Sequence, residues 1–477
     1  MQLVLGLDIG SSAVKAAILD VDNMKTVALA RVIYPRNSPN RGELEIPLDH
    51  LEQAVTQVLC KLPLNFKTHV VSLAITGQMA GLIILDRDLR PVGPCLSIFD
   101  GRAMDESEQL NQKYANHLRE YEGNEALPIH TLPKVLWLRR YSPERYQKAR
   151  LFVLPKDYIR GLLTGSWGTD PSDASGTLAF DQTKGMWDHT LLSELGLDSR
   201  VWPDVWPSDA VTGYLVGEWA RRVSLPLGLP IVVGAADMAC VPIGTNAIEE
   251  TDLVISIGTA AHVIAPTQAF NPHSWPIQQY AQAIPNYWYQ FGAVFTGGAA
   301  FDWILSVTRQ QNQYKRFSLE NIGSAVEEPV FVPYLAGAGV PYNNPRARGA
   351  FMGLSIGHGS DDLARAVMWG VIAEIATIRS AIDVGHHRRS IHITGGGARM
   401  NGLVQALANM LDTSVNVHRE LESVAVGAAI LAARGVGINI SVPHLATVTV
   451  SPDLNHAQFY RIIQSRYERA AAMVREI

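Results

Sequence analysis

The stretch Leu7-Asp8-Ile9-Gly10-Ser11-Ser12-Ala13 returns, altered but recognisable, as Ile255-Ser256-Ile257-Gly258-Thr259-Ala260-Ala261. Each copy is set among apolar runs: Leu3 to Leu7 and Val14 to Asp20 around the first, Leu253 to Ile257 leading into the second. Short apolar runs broken by glycine read as buried strands, with Gly10 to Ser12 as the turn of a hairpin. Like hairpins in opposite halves of the chain predict duplicated domains facing one cleft. Glycine lets backbone come close to a ligand, and turn N–H groups with the hydroxyls of Ser11, Ser12 and Thr259 offer donors to phosphate. Only the first copy carries charge. Asp8 at a strand end beside phosphate makes chemical sense with a Mg²⁺ ion between them. Lys15 on the returning strand can neutralise a transferring phosphoryl group. A plain hairpin with a solvated Asp and Lys is the competing reading.

Outward from the hairpins, strands and helices alternate, which predicts α/β architecture. Leu48 to Leu62 has the spacing of an amphipathic helix, Val70 to Ile75 that of a buried strand, and Thr131-Leu132-Pro133 opens a helix. Ile231 to Val233 reads as a strand, as does Ile391 to Thr394, which Gly395-Gly396-Gly397 ends; a helix follows from about Met400. Ser360 can cap a long helix running to about Asp383, and the charged stretch after His456 reads as a covering surface helix. A chain of 477 residues, 47% hydrophobic and 18% charged, supports more than one buried core. The two halves are assigned as residues 1–248 and 249–477.

A net charge of −5 gives no reason to expect nucleic acid or an anionic membrane as partner. Cys60, Cys95 and Cys240 are far apart, which points to neither a disulfide framework nor a zinc site. No leader pattern follows Met1, and a cytoplasmic location is expected. Leu225 to Ile248 holds one charge, Asp237, yet three prolines and three glycines interrupt it, so a buried strand, turn and helix suit it better than a membrane span.

That single charge is the candidate catalytic residue. A carboxylate within Val232-Val233-Gly234-Ala235-Ala236-Asp237-Met238-Ala239 is costly unless its position serves a purpose. After a strand and at the start of a helix it can face a cleft as a general base for a hydroxyl, ionised, rigid and partly desolvated. A helix-capping Asp is the bland equivalent. The Gly395-Gly396-Gly397-Ala398 turn lets a flat group lie against bare backbone, and Asn401 can bond an adenine edge. Neither a GxxxxGK[ST] loop nor a GxGxxG fingerprint occurs, which argues against P-loop and Rossmann nucleotide sites.

In chain order stand Asp8 to Lys15, Gly77-Gln78-Met79-Ala80-Gly81, Asp100-Gly101-Arg102, Leu154-Pro155-Lys156-Asp157-Tyr158, Asp170 to Thr177, Gly234-Ala235-Ala236-Asp237, Ser256-Ile257-Gly258-Thr259, Gly297-Gly298-Ala299, Arg348 to Leu354 and Gly395 to Arg399. With these strings the sequence resembles the FGGY carbohydrate kinases, nearest to xylulokinases, over nearly its whole length. The resemblance implies two ribonuclease-H-like domains of the actin and hexokinase superfamily closing on a central cleft. It implies ATP and Mg²⁺, with a small sugar as acceptor; a homodimer is left open. Asp8 would help hold the metal. Gly10, Ser11, Ser12 and Lys15 would meet phosphates from one side, Gly258 and Thr259 from the other. Gly297, Gly298, Gly396, Gly397, Ala398 and Asn401 would surround the nucleoside. Gln78, Met79, Asp100, Arg102 and Asp237 would face the sugar, with Ala80 and Met238 at neighbouring sugar-side positions.

Several positions depart from the xylulokinase pattern. Ala80 stands where Met-His-Gly is usual, Met238 where Asn commonly follows the Asp, and Ile98-Phe99 where a Trp precedes Asp-Gly-Arg. Gly337-Ala338-Gly339 replaces a Gly-Glu-Arg-type turn. The expectation is a less polar or differently shaped sugar pocket, with D-xylulose a secondary substrate. The competing functional reading is a sugar- or nucleotide-sensing protein on the same fold with little kinase turnover.

Overall fold

The structure is a computed structural model that describes residues 2–40, 42–310, 325–382, 390–419, 422–440 and 447–475. Its two main sheets have strands numbered here in chain order. The first uses β1 (Leu3–Ile9), β2 (Ala13–Asp20), β3 (Lys25–Ile33), β4 (Val70–Gly77), β5 (Val211–Tyr214) and β6 (Pro230–Ala236), in the order β5-β6-β4-β1-β2-β3. The second uses β7 (Asp252–Ile257), β8 (Ala261–Thr267), β9 (Gln278–Ala281), β10 (Trp288–Val294), β11 (Ser390–Thr394), β12 (Val415–Val417) and β13 (Val448–Val450), in the order β9-β10-β8-β7-β11-β12-β13. The hairpin β1-β2 and the parallel neighbour β4 of the first sheet match the hairpin β7-β8 and the parallel neighbour β11 of the second. An antiparallel edge closes each sheet, β5 on β6 and β13 on β12. The heptapeptide repeat thus marks equivalent corners of two like sheets, with β9 added to the second.

The central strands are apolar on both faces; every residue of β1 is buried, as a strand covered on two sides requires. The helices are amphipathic at 3.6-residue spacing. In α1 (Leu48–Lys61), Leu48, Leu51, Val55, Val58 and Leu59 face inward. The remaining helices used below are α2 (Thr131–Tyr141), α3 (Pro155–Thr164), α4 (Asp237–Thr245), α5 (Gly297–Val307), α6 (Ser360–Ile382), α7 (Asn401–Leu411), α8 (Ser423–Gly435) and α9 (Ala457–Arg475). Asp383, the expected end of α6, lies outside the described residues. The C-terminal α9 buries Tyr460, Ile463, Tyr467 and Val474 against the second half, each worth roughly 1.5–3 kcal/mol for a fully buried side chain.

One packing arrangement departs from the division of the sequence. Helix α8 belongs to the second half of the chain, yet it lies on the first sheet: a Cβ added to Gly6 of β1 would sit 1.9 Å from the Ala425 carbonyl oxygen, and Ser72 of β4 donates to the Ala432 carbonyl. Helix α4 crosses it closely, Gly244 against Ser423 and Gly427 against Cys240. A shared core joins Val4, Leu19 and Ala74 to Val254, Ile264 and Val426. Among the described residues no helix is long and apolar enough to cross a membrane.

Candidate active site

Three parallel strands, β1, β4 and β6, end side by side: Ile9 pairs with Gly77 and Gly77 with Ala236. Asp8, Gln78 and Asp237 therefore reach one crevice at the carboxyl ends of the strands, the usual ligand position in such sheets. Here β6 needs a bulge. Its register slips between Val232 and Ala235, and Gly234 has φ +77°, with an added Cβ only 1.7 Å from the Ile75 carbonyl oxygen. Only glycine meets both conditions, which explains the Gly234-Ala235-Ala236-Asp237 string.

A cavity of about 700 Å³ opens from this point. Asp8, Gly10, Ser11, Ser12, Lys15, Gln78, Met79, Ala80, Asp237, Met238, Gly258, Thr259 and Gly396 all line it. A second cavity of about 270 Å³ shares Gly258, Thr259 and Gly396 with the first and is closed by Gly297, Gly298, Gly397, Phe301, Met368, Met400 and Leu403. The second hairpin is thus the sill between a large polar-edged cleft and a smaller apolar slot. The N-terminus of α5 braces it, Gly298 N–H donating to the Gly258 carbonyl at 2.9 Å and Ala299 N–H to that of Thr259 at 3.0 Å.

Asp237 is the first residue of α4, and its Oδ1 accepts from Met238 N–H at 2.8 Å. Burial pushes its carboxyl up to about 8, with Asp8 adding to the rise. Asp8 is pushed up to about 6 by burial, which Lys15, its cross-strand partner, partly offsets. Its buried Oδ1 has no hydrogen-bond partner among the described residues. Two carboxyls so raised, one with an orphaned oxygen, form a place that a cation would satisfy. Lys15 Nζ meets Glu422 Oε2 at 2.8 Å, an ion pair between the two halves. Burial would lower the lysine, but Asp8 and Glu422 outweigh it and hold the ammonium.

Gln78 shows how an amide is aimed. Its Oε1 accepts from Ser97 Oγ at 3.1 Å and Ile98 N–H at 3.4 Å, which leaves the buried Nε2 as a donor without a partner among the described residues. Asp100 and Arg102 are held back from the cleft. Asp100 takes Leu44 N–H at 2.7 Å and Arg102 Nε at 2.7 Å, while Arg102 also meets Glu45 at 2.9 Å. These bonds fix the loop whose Ile98, Phe99 and Gly101 line the cavity. Ala398 is buried beneath the glycine turn, and Asn401 is exposed at the start of α7, outside both linings.

Behind Asp237 lies a fully buried charge cluster. Lys156 Nζ is 2.7 Å from Asp157, 3.0 Å from Asp170 and 3.2 Å from Asp173, and Arg160 is 3.5 Å from Asp157. Burial drives Asp173 well above the usual carboxylate range, with Lys156 partly offsetting it. Asp170 Oδ2 takes the Ser172 hydroxyl at 2.5 Å, and Ser172 Oγ accepts Ala236 N–H at 2.9 Å. The cluster thereby fastens the end of β6 that carries Asp237.

Sequence reasoning missed Glu422, His130, Tyr280 and Asp302, which also line the two cavities. A glutamate before α8 and a tyrosine on an edge strand have no local pattern to mark them. His130, just ahead of the helix start at Thr131, carried the one local cue.

Residues 3–244 match the model of the FGGY family of carbohydrate kinases, N-terminal domain, and residues 253–436 that of the C-terminal domain. The chain belongs to the FGGY family of carbohydrate kinases. This FGGY kinase is 30% identical to the xylulose kinase of Escherichia coli over 86% of its own length and 84% of the relative's. It is 29% identical to the xylulose kinase of Staphylococcus xylosus, with 91% of each covered. A crystal structure described as a "xyloylose kinase" from Brucella ovis superposes with a TM-score of 0.88 at 27% identity, all of each chain covered. The ligand-bound xylulose kinase of Lactobacillus acidophilus, at 23% identity and TM-score 0.90 over 99% of this chain and 98% of that one, shares the fold.

Proposed function

We propose that this FGGY kinase transfers the γ-phosphoryl of ATP to a hydroxyl of a small neutral ketose or polyol, with Asp237 as general base. The observation that carries the reading is the position of Asp237. It stands where the apolar-walled cleft meets the phosphate hairpin, with Asp8 beside it raising its affinity for a proton. The acceptor O–H gives its proton to Asp237 as its oxygen bonds to the γ-phosphorus; the bond from that phosphorus to the bridging oxygen breaks, and ADP carries away the electron pair. Asp237 then returns the proton to solvent. Asp8, with Asp237 near it, would hold Mg²⁺, which supplies charge neutralisation to the phosphates. Gly10, Ser11 and Ser12 cradle phosphate from the first half, Gly258 and Thr259 from the second. The small apolar slot closed by Met400, Leu403 and Phe301 takes the purine.

The sugar side is lined by Met79, Ala80, Ile98, Phe99, Met104 and Ile129, with neutral polar groups at Gln78, His130 and Tyr280. Lys134, under this wall, donates to the Ala80 carbonyl at 2.9 Å and to that of Ile129, and burial pulls it down to about 7. Two of its donors go to backbone carbonyls behind the wall and the residue does not line the cavity, so the wall favours a neutral acceptor over a sugar acid.

The experiment is an ADP-release assay across ketopentoses, polyols and aldonates, with the phosphorylated product identified. ADP release without a sugar phosphate for any neutral acceptor overturns the reading in favour of a sensing protein. D-xylulose is expected to be a secondary substrate, and Ala80→His with Met238→Asn to improve its kcat/KM by roughly a hundredfold, two unmatched polar groups at about 1–3 kcal/mol each. Efficient wild-type use of xylulose, unimproved in the double variant, would show those positions to be neutral.

A further inference from the structure

We infer that Tyr280, on the extra strand β9 of the second half, is a specificity-determining residue that donates a hydrogen bond to one oxygen of the acceptor sugar, and that His130 is the positioning residue that sets the direction of that bond. The inference rests on the sugar-kinase reading above.

The chain of bonds starts at the backbone. Leu127 N–H donates to His130 Nδ1 at 3.0 Å, so that nitrogen carries no proton and the neutral ring bears its hydrogen on Nε2. Burial keeps the imidazole neutral, its pKa pulled down to about 3, with Lys134 adding to the fall. His130 Nε2 lies 3.3 Å from Tyr280 Oη. An Nε2–H there donates to the phenol oxygen, and the Tyr280 O–H is left to donate elsewhere. Both residues line the large cavity while being almost wholly buried, at 1% and 4% exposure. A fixed donor at the floor of a cleft asks for an acceptor oxygen on the ligand.

The strand that brings Tyr280 is itself fastened to the first half. Gln279 N–H donates to Asn124 Oδ1 at 3.0 Å, Asn124 and Gln182 amides donate to the Gln279 carbonyl at 2.9 Å each, and Ala281 N–H donates to Ser175 Oγ at 3.1 Å. The tyrosine ring is held 5.7 Å from that of Tyr289 and 5.9 Å from that of Phe291. Its hydroxyl is therefore placed before any sugar arrives. Ala80, with a bare methyl on the same cavity wall, leaves this as a donor that reaches the sugar from the other half of the molecule.

The test takes a sugar that the wild-type enzyme phosphorylates, together with its monodeoxy analogues. Tyr280→Phe is expected to lower kcat/KM for the parent sugar about 5- to 100-fold, with KM for ATP unchanged. One deoxy analogue, already poor with the wild type, should be used equally well by wild type and variant, because the oxygen that the tyrosine meets is gone. His130→Phe should give a smaller loss, about 2- to 10-fold, selective for the same oxygen. A uniform loss across parent and all analogues, or no loss at all, would reduce Tyr280 to packing and overturn the inference. If Tyr280→Phe does not fold, the selectivity of His130→Phe decides. If the wild type phosphorylates no sugar, the kinase reading fails first and this one falls with it.

Discussion

The two hairpins have the same backbone and different chemistry. In the first, Asp8 pairs across the strands with Lys15, and Gly10 to Ser12 make the turn. In the second, Ser256 pairs with His262, and Gly258 to Ala260 make the turn. Each is followed in its sheet by a parallel strand whose end lines the cleft: Gln78 after β4 and the glycine turn after β11. The first half brings Asp8 and Asp237 to the cleft, and the second hairpin brings glycine backbone and the Thr259 hydroxyl. A duplicated frame thus supplies two glycine-and-hydroxyl turns, and only the first carries a cross-strand carboxylate and ammonium pair.

The comparison makes its largest prediction at Asp237. Asp237→Asn is expected to lower turnover by about 10²–10⁴-fold with ATP binding nearly intact; near wild-type turnover would move the base elsewhere. Next comes the contrast between matched positions. Asp8→Ala should raise the Mg²⁺ concentration needed for half-maximal activity by about 10–100-fold, whereas Ser256→Ala, at the equivalent place, should cost no more than about 2- to 10-fold in kcat/KM for ATP. Equal losses from both, across a Mg²⁺ titration, would mean that the halves share the metal's work.

The pH dependence follows from the same asymmetry. Burial pushes Asp8 up to about 6 and Asp237 up to about 8 from an ordinary 3.8. The base must be ionised, so kcat/KM should rise with pH through this window, and the limb should move to lower pH as Mg²⁺ is increased. Stability runs the opposite way. A carboxyl whose folded value is raised favours the fold while protonated, and that contribution is lost as pH climbs from about 4 to about 8. In Mg²⁺-free buffer above pH 8, Asp237→Asn should therefore melt higher than the wild type. The smallest effect is expected at Gly258→Ala: the nearest heavy atom to an added Cβ is 3.8 Å away, so the fold is undisturbed and only KM for ATP should rise, by a few-fold.

Much of this frame is legible in the chain because it is local. The heptapeptide repeat marks the matching corners, and strand runs such as Leu3 to Leu7 carry their own apolar signature. Asp237 shows itself as a lone charge in an apolar stretch. What escapes the sequence is set by long-range packing. Asp100 and Arg102 look free as residues, yet they satisfy one another and Leu44, Glu43 and Glu45 in the fold. Asn401 opens α7 one position beyond the extended Met400, and the methionine lines the smaller cavity while the asparagine is exposed. The Lys15 partner, Glu422, lies 407 positions away.

The covering of the first sheet by α8 has a bearing on how the chain is made. Ser72 and Ala432 bond across 360 positions, and Gly6 rests on a helix that begins only at Ser423. On the ribosome, the first sheet emerges early but waits for nearly the whole chain before its inner face is covered. A fragment ending near residue 248 should then be sticky and poorly folded by itself, and be rescued when the remaining chain is co-expressed as a separate piece. Native-gel recovery of the paired fragments, set against aggregation of the first alone, would measure this late closure.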